Sequence, residues 1–224
     1  MKPLIVILSV FLFLSFTGCG SIVYDAAYQL SLSKVERPEK ASHLYGNQKI
    51  DSVLDNSKYQ YCFEDSLVKI LWFADSRQII FSVENKTENT IEIPWDKAAY
   101  MDPEGHSHRI MHSGVEYRDR ANPQPPSVIV RKGIIEDWIF PTDNLLFIPG
   151  GEVVTPHWDQ LPLLPDYETH SVTEPGLYSA EKFENSLKLN IGKTYQVLLP
   201  LQIEESVNDY IFIFKIEDVT ITKE

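Results

Sequence analysis

The stretch YQVLLPLQIEESVNDYIFIFKI, residues 195–216, decides the fold. Tyr195, Val197, Leu199, Leu201 and Ile203 fall on alternate positions, and after an acidic break Tyr210, Phe212, Phe214 and Ile216 do so again. Successive side chains of a strand point to opposite faces, so each run places its apolar residues on one side. Two such runs joined by polar residues predict a pair of strands with one face in a core. Beyond Ile216 the apolar positions switch from even to odd, at Val219 and Ile221. An extra residue in a strand produces that phase change, which predicts a β-bulge near Glu217-Asp218.

The same period extends toward the amino terminus. Tyr59, Tyr61 and Phe63 alternate, Val68 to Ala74 is apolar on both faces as in a central strand, and Ile79, Phe81 and Val83 follow. Ile91, Ile93 and Trp95 form another face, with shorter strands expected near 106–111, 127–130 and 136–140. Asp75-Ser76 reads as a tight hairpin, Asn85 to Asn89 as a longer loop, and Asp102-Pro103-Glu104-Gly105 as a strong turn. Leu187, Leu189 and Ile191 predict one more strand before a turn at Gly192-Lys193. No segment keeps a helical period over more than two or three turns. The expectation is an all-β chain, an antiparallel β-sandwich in one domain over residues 58–224.

Residues 58–222 resemble the immunoglobulin-like domains of bacterial lipoproteins. The resemblance is carried by Phe81-Ser-Val-Glu-Asn-Lys-Thr87, a strand ending in Asn-x-Thr before an Ile-rich strand, and by the paired closing strands. It implies a fold and no activity.

The amino terminus is of another kind. Lys2 precedes an apolar run from Leu4 to Phe16, and small residues follow, which is the pattern of an export signal. The run is shorter than the roughly 20 residues that span a bilayer as a helix. Phe16-Thr17-Gly18-Cys19 resembles the lipobox of bacterial lipoproteins. That resemblance implies cleavage after Gly18, a signal peptide over 1–18, and a diacylglyceryl thioether with palmitate-type chains on Cys19. Gly20 is not the Asp that often retains such proteins in an inner membrane, so the expected place is the outer membrane facing the periplasm. In a Gram-positive host the same anchor faces outward from the cell membrane. Residues 19–57, which include Pro38 and show no sustained period, read as a tether with one short helix around Tyr24 to Leu32. As a flexible coil that tether would reach on the order of 35 Å.

The chain has 20 Lys and Arg against 32 Asp and Glu, a formal charge of −12. Binding to nucleic acid or anionic headgroups needs cationic side chains to replace counterions, so neither is expected. With 43 % apolar and 23 % charged residues the chain has material for a core. With Cys19 acylated, Cys62 has no partner in the chain, and the expectation is a small buried hydrophobe.

Few patterns carry chemistry. His106, His108 and His112 share even positions and would point to one strand face, where imidazoles can hold Zn or Cu given a third ligand. The alternative is an exposed His-rich edge beside a turn. Ser179-Ala-Glu-Lys182 has the S-x-x-K spacing, but no S-D-N companion exists and Gly192-Lys193-Thr194 stands in the wrong order for it. A phosphate loop would need Gly where Leu187 stands. No motif implies a cofactor, and an enzyme is not expected. The stretch from Pro141 to Gly176 is rich in proline and holds Trp158, the one weak candidate for binding. Either Trp158 offers a platform to a ligand, or it caps the sandwich with Leu161, Leu163 and Leu164. The partners expected are the membrane, through the covalent lipid, and an envelope protein or glycan. The competing expectation is a periplasmic metal-binding protein or hydrolase built on the three histidines.

Overall fold

The computed structural model describes residues 21–38, 45–55, 58–151, 153–171 and 180–223. The expected signal peptide and Cys19 lie outside the described residues. The strands are β1 (Ser21–Glu36), β2 (Lys49–Asp55), β3 (Lys58–Glu64), β4 (Val68–Ala74), β5 (Ile79–Asn85), β6 (Ile91–Ile93), β7 (Ala99–Met101) and β8 (Ser107–His112). They continue with β9 (Ser127–Ile129), β10 (Ile134–Pro141), β11 (Leu145–Ile148), β12 (His157–Gln160) and β13 (Tyr167–Ser171). A helix, α1 (Ala180–Lys188), precedes β14 (Thr194–Ile203) and β15 (Ser206–Lys223). Among the described residues no helix is long and apolar enough to cross a membrane.

The class is all-β and antiparallel. Strands hydrogen-bond in the order β13-β1-β15-β14-β7-β8-β10-β5-β4-β3-β2, with β6 and β9 attached to β14, while β11 and β12 form a separate hairpin. The path wraps on itself in a barrel-like way. The inner face of β3 and β4 lies on β14–β15: the Trp72 ring is 4.7 Å from Phe212 and 5.7 Å from Phe214, and Phe63 is 5.5 Å from Phe212. At the far side the Tyr61 hydroxyl donates to the Leu30 carbonyl at 2.8 Å, linking β3 to β1. Trp72, Phe63, Phe212 and Phe214 are fully buried.

The expected turns hold. The Asp75 N–H donates to the Gln78 carbonyl at 3.1 Å, and the Asp75 carboxylate accepts from the Arg77 and Gln78 backbone. The bulge in the last strand is present too. Gln29 pairs with Asp218 and Leu30 with Ile216, so Glu217 is the unpaired extra residue.

Three expectations need correction. The stretch read as a tether with a short helix contains β1, which pairs with β15 and β13, and β2, which pairs with β3. Leu30, Leu32 and Val35 of β1 are buried in the main core. Their period is broken because the register shifts again between Leu32 and Lys34, where Ser33 is the extra residue. The strand expected at Leu187, Leu189 and Ile191 is the end of α1 and the turn after it. Phe183 and Leu187, one helical turn apart, pack with Tyr24 and Val219 in a second small core, while Leu189 is exposed. Cys62 is a free thiol but is only half-buried, on the outer face of β3 opposite Leu71. What burial it has pushes the thiol pKa up.

A polar node ties the layers together inside this core. The Asp65 carboxylate, 2 % exposed, accepts from the Leu67 and Val68 N–H groups at 2.9 and 3.1 Å. Its other oxygen accepts from the Tyr210 hydroxyl at 3.0 Å and the Arg37 guanidinium at 3.2 Å. The node joins the β3–β4 turn, β15 and the segment after β1. Removing one member of a buried ion pair leaves the other charge uncompensated. Asp65→Ala should therefore cost about 3–5 kcal/mol in urea denaturation, and Tyr210→Phe only about 1 kcal/mol. A loss for Asp65→Ala no greater than for Tyr210→Phe would remove the node from the account of stability.

Candidate functional site

The three histidines of the sequence pattern divide. Asp102 opens the turn before β8, and its Oδ1 accepts from the backbone N–H of Glu104 and His106 at 3.0 and 2.8 Å. That fixes Oδ2 3.2 Å from His106 Nδ1 and 3.1 Å from His108 Nε2. The second nitrogen of His108 lies 3.2 Å from Asp143. An imidazole donates from both nitrogens only when protonated. Burial works against charge on His108, but its hydrogen bonds to Asp102 and Asp143 outweigh this and hold its pKa above the ordinary value. Burial likewise opposes ionisation of Asp102, and the donors around it win, holding it below the usual carboxylate range.

His112 turns the other way. Its ring is buried, stacked on Trp95 at 4.4 Å and 10°, with Nδ1 3.1 Å from Asp137. The alternation of β8 fails here because Ile110, Met111 and His112 are all buried. His106, His108 and His112 therefore do not converge. Among the described residues no group of three His, Cys, Asp or Glu side chains is placed to hold a metal ion.

The better-formed site lies on the outer face of the sheet. An antiparallel sheet commonly turns polar residues to solvent. Here the register aligns Phe73 of β4, Ile80 of β5 and Trp138 of β10 in one row across three strands. Beside that row is an open groove of about 290 Å³, lined by Ile80, Trp138, Tyr117, Arg77, Gln78 and Gln160. A second groove of about 220 Å³ continues on the other side of Ile80, along Phe73, Leu71, Ser82 and Gln60 toward Glu136.

Trp158 supports this site from behind. It is half-buried on β12, 5.0 Å from the Phe147 ring and edge-on to Tyr117 at 6.3 Å, with the Arg120 guanidinium 4.6 Å from its centre. The Gln160 amide donates to the Tyr117 hydroxyl. Leu163 and Leu164 reach the main core and their N–H groups bond the Ser76 carbonyl, whereas Leu161 is exposed. Asp166, nearly buried, takes Arg77 and Ser76 and fixes the tip of the β4–β5 hairpin. Much of the stretch 141–176 is thus a hairpin and a cap; residues 172–176 lie outside the described residues.

Comparison of the chain with family models, curated proteins and solved structures finds no match. The groove residues Tyr117, Trp138 and Gln160 carried no motif. The available signal was the two-faced apolar run Val68 to Ala74, whose outer side is left half-buried.

Two measurements follow from this geometry. Trp158→Ala should cost about 1–3 kcal/mol, less than a fully buried aromatic, and lower the melting temperature by several degrees; an unchanged melt would mean the hairpin is held without it. Stability should also vary with pH. A raised His108 pKa contributes fully below about pH 6.5, the unfolded value, and the contribution is lost as pH rises through the folded value. Asp102 and Asp137, both depressed, act in the opposite sense and lose their contribution as pH falls below about 4. His108→Gln should flatten the neutral-to-alkaline decline in thermal melts and leave the acid limb in place. An unaltered alkaline limb would show that His108 does not set it.

Proposed function

We propose that this chain is a lipid-anchored envelope protein whose all-β domain binds or organises envelope material without catalysis. The observation that carries the reading is the boundary Phe16-Thr17-Gly18-Cys19 after an apolar run, with β1 beginning at Ser21, two residues beyond the cysteine. Two or more acyl chains anchor stably, whereas one binds marginally. With the lipid on Cys19, the domain rests at the membrane surface, with no long tether between them. Gly20 supports the outer membrane, facing the periplasm; in a Gram-positive host the same domain stands outside the cell membrane.

For the strand arrangement we infer an immunoglobulin-like sandwich. The support is the packing of β3–β4 on β14–β15 and the Asn85–Thr87 turn, where the Asn85 carboxamide accepts from the Thr87 N–H and hydroxyl.

Cells expressing the full chain and fed a fatty-acid probe should label the wild type and leave Cys19→Ser unlabelled. The wild type should sediment with membranes. Equal labelling of both would end the lipoprotein reading.

A further inference from the structure

The groove between Trp138 and Tyr117 has a definite chemistry. Its walls are aromatic and aliphatic, from Tyr117, Trp138 and Ile80, and its rim carries the planar polar groups of Arg77, Gln78 and Gln160. Small-molecule sites have this composition, apolar with a few placed polar groups, and a volume of roughly 300–1,000 Å³. The groove is at the low end of that range. Three features decide the occupant. No carboxylate lines it, although the chain carries a charge of −12. The one cation in its lining, Arg77, is already paired with Asp166, so the lining offers no unpaired charge to an ion. The second groove shares Ile80 and extends the surface across β5 and β4, ending at Glu136, which repels anions.

We propose that this outer face binds an uncharged glycan chain, with sugar rings against Trp138 and Tyr117 and hydroxyls hydrogen-bonded by the Gln78 and Gln160 amides. The apolar C–H face of a sugar ring matches an aromatic side chain, and a planar amide can donate and accept toward neighbouring hydroxyls. The two grooves in line fit several linked residues better than one. Trp158 acts on Tyr117 from behind and is a positioning residue. The proposal rests on the reading of the domain as a binding module, and names its ligand class.

The test is calorimetric titration of the full chain, in detergent, with neutral tetrasaccharides: β-1,4-linked N-acetylglucosamine, β-1,4-linked glucose and α-1,4-linked glucose. A polygalacturonate of similar length serves as the anionic control. At least one neutral oligomer should bind in the micromolar to millimolar range and more tightly than the anionic one. Trp138→Ala should weaken it tenfold or more. Gln78→Ala and Gln160→Ala, both at exposed positions, should each weaken it severalfold without changing the melting temperature, which guards against a misfolded Trp138 variant. No binding by any neutral oligomer, tighter binding of the anion, or binding indifferent to all three substitutions would overturn the proposal. Since Cys19→Ser keeps the groove intact, failure of sugar binding and failure of lipid labelling are separate outcomes.

Discussion

The Trp72 ring lies 4.9 Å from Phe81, 4.7 Å from Phe212 and 5.7 Å from Phe214, and so touches both layers of the folded sheet. Its indole N–H is buried and has no hydrogen-bond partner among the described residues. An orphaned donor costs about 1–3 kcal/mol, while each aromatic pair adds about 0.5–1.5 kcal/mol beyond the area it buries. Packing wins, so long as β14–β15 stays over β4. The rest follows from that constraint. Asp65 and Tyr210 lock the same two layers with polar bonds, and Tyr61 reaches past the core to the β1 backbone.

An inner face so rich in aromatics leaves the outer faces to do something else. β4 and β5 turn Phe73 and Ile80 outward, and β10 adds Trp138 beside them. The hairpin of β11 and β12 borders this face, and His108 is joined to its root through Asp143, just before Leu145. The titratable clamp and the groove therefore share a scaffold.

Strand character was legible wherever the period of two ran unbroken, as in β5, β14 and the first half of β15. Even the bulge at Glu217 could be read, because the apolar positions change phase on both sides of it. β1 was missed although Tyr24, Ala26, Tyr28, Leu30 and Leu32 alternate. The extra residue Ser33 breaks that run before Val35, and the small Ala26 and the interleaved serines give it little apolar weight. In α1, among the described residues, only Phe183 and Leu187 are buried, too few for a helical signature, and Leu189 and Ile191 beyond it imitated a strand. The histidines failed differently. Parity along the chain assumes an ideal strand, and His112 is drawn inward by Trp95 and Asp137. The groove was hidden because it is assembled from four separate segments.

The order of the strands also has a meaning in time. β1, the first element of the domain, makes its longest ladder with β15, the last, from Tyr24↔Lys223 to Glu36↔Ile211. Closing so long a loop comes before any reward from the contacts it brings together, which slows folding. No complete sheet can form until β15 has been made. Under the export proposed above, that delay would keep the chain threadable until β15 is available. The fold then closes once, with its beginning and its end side by side.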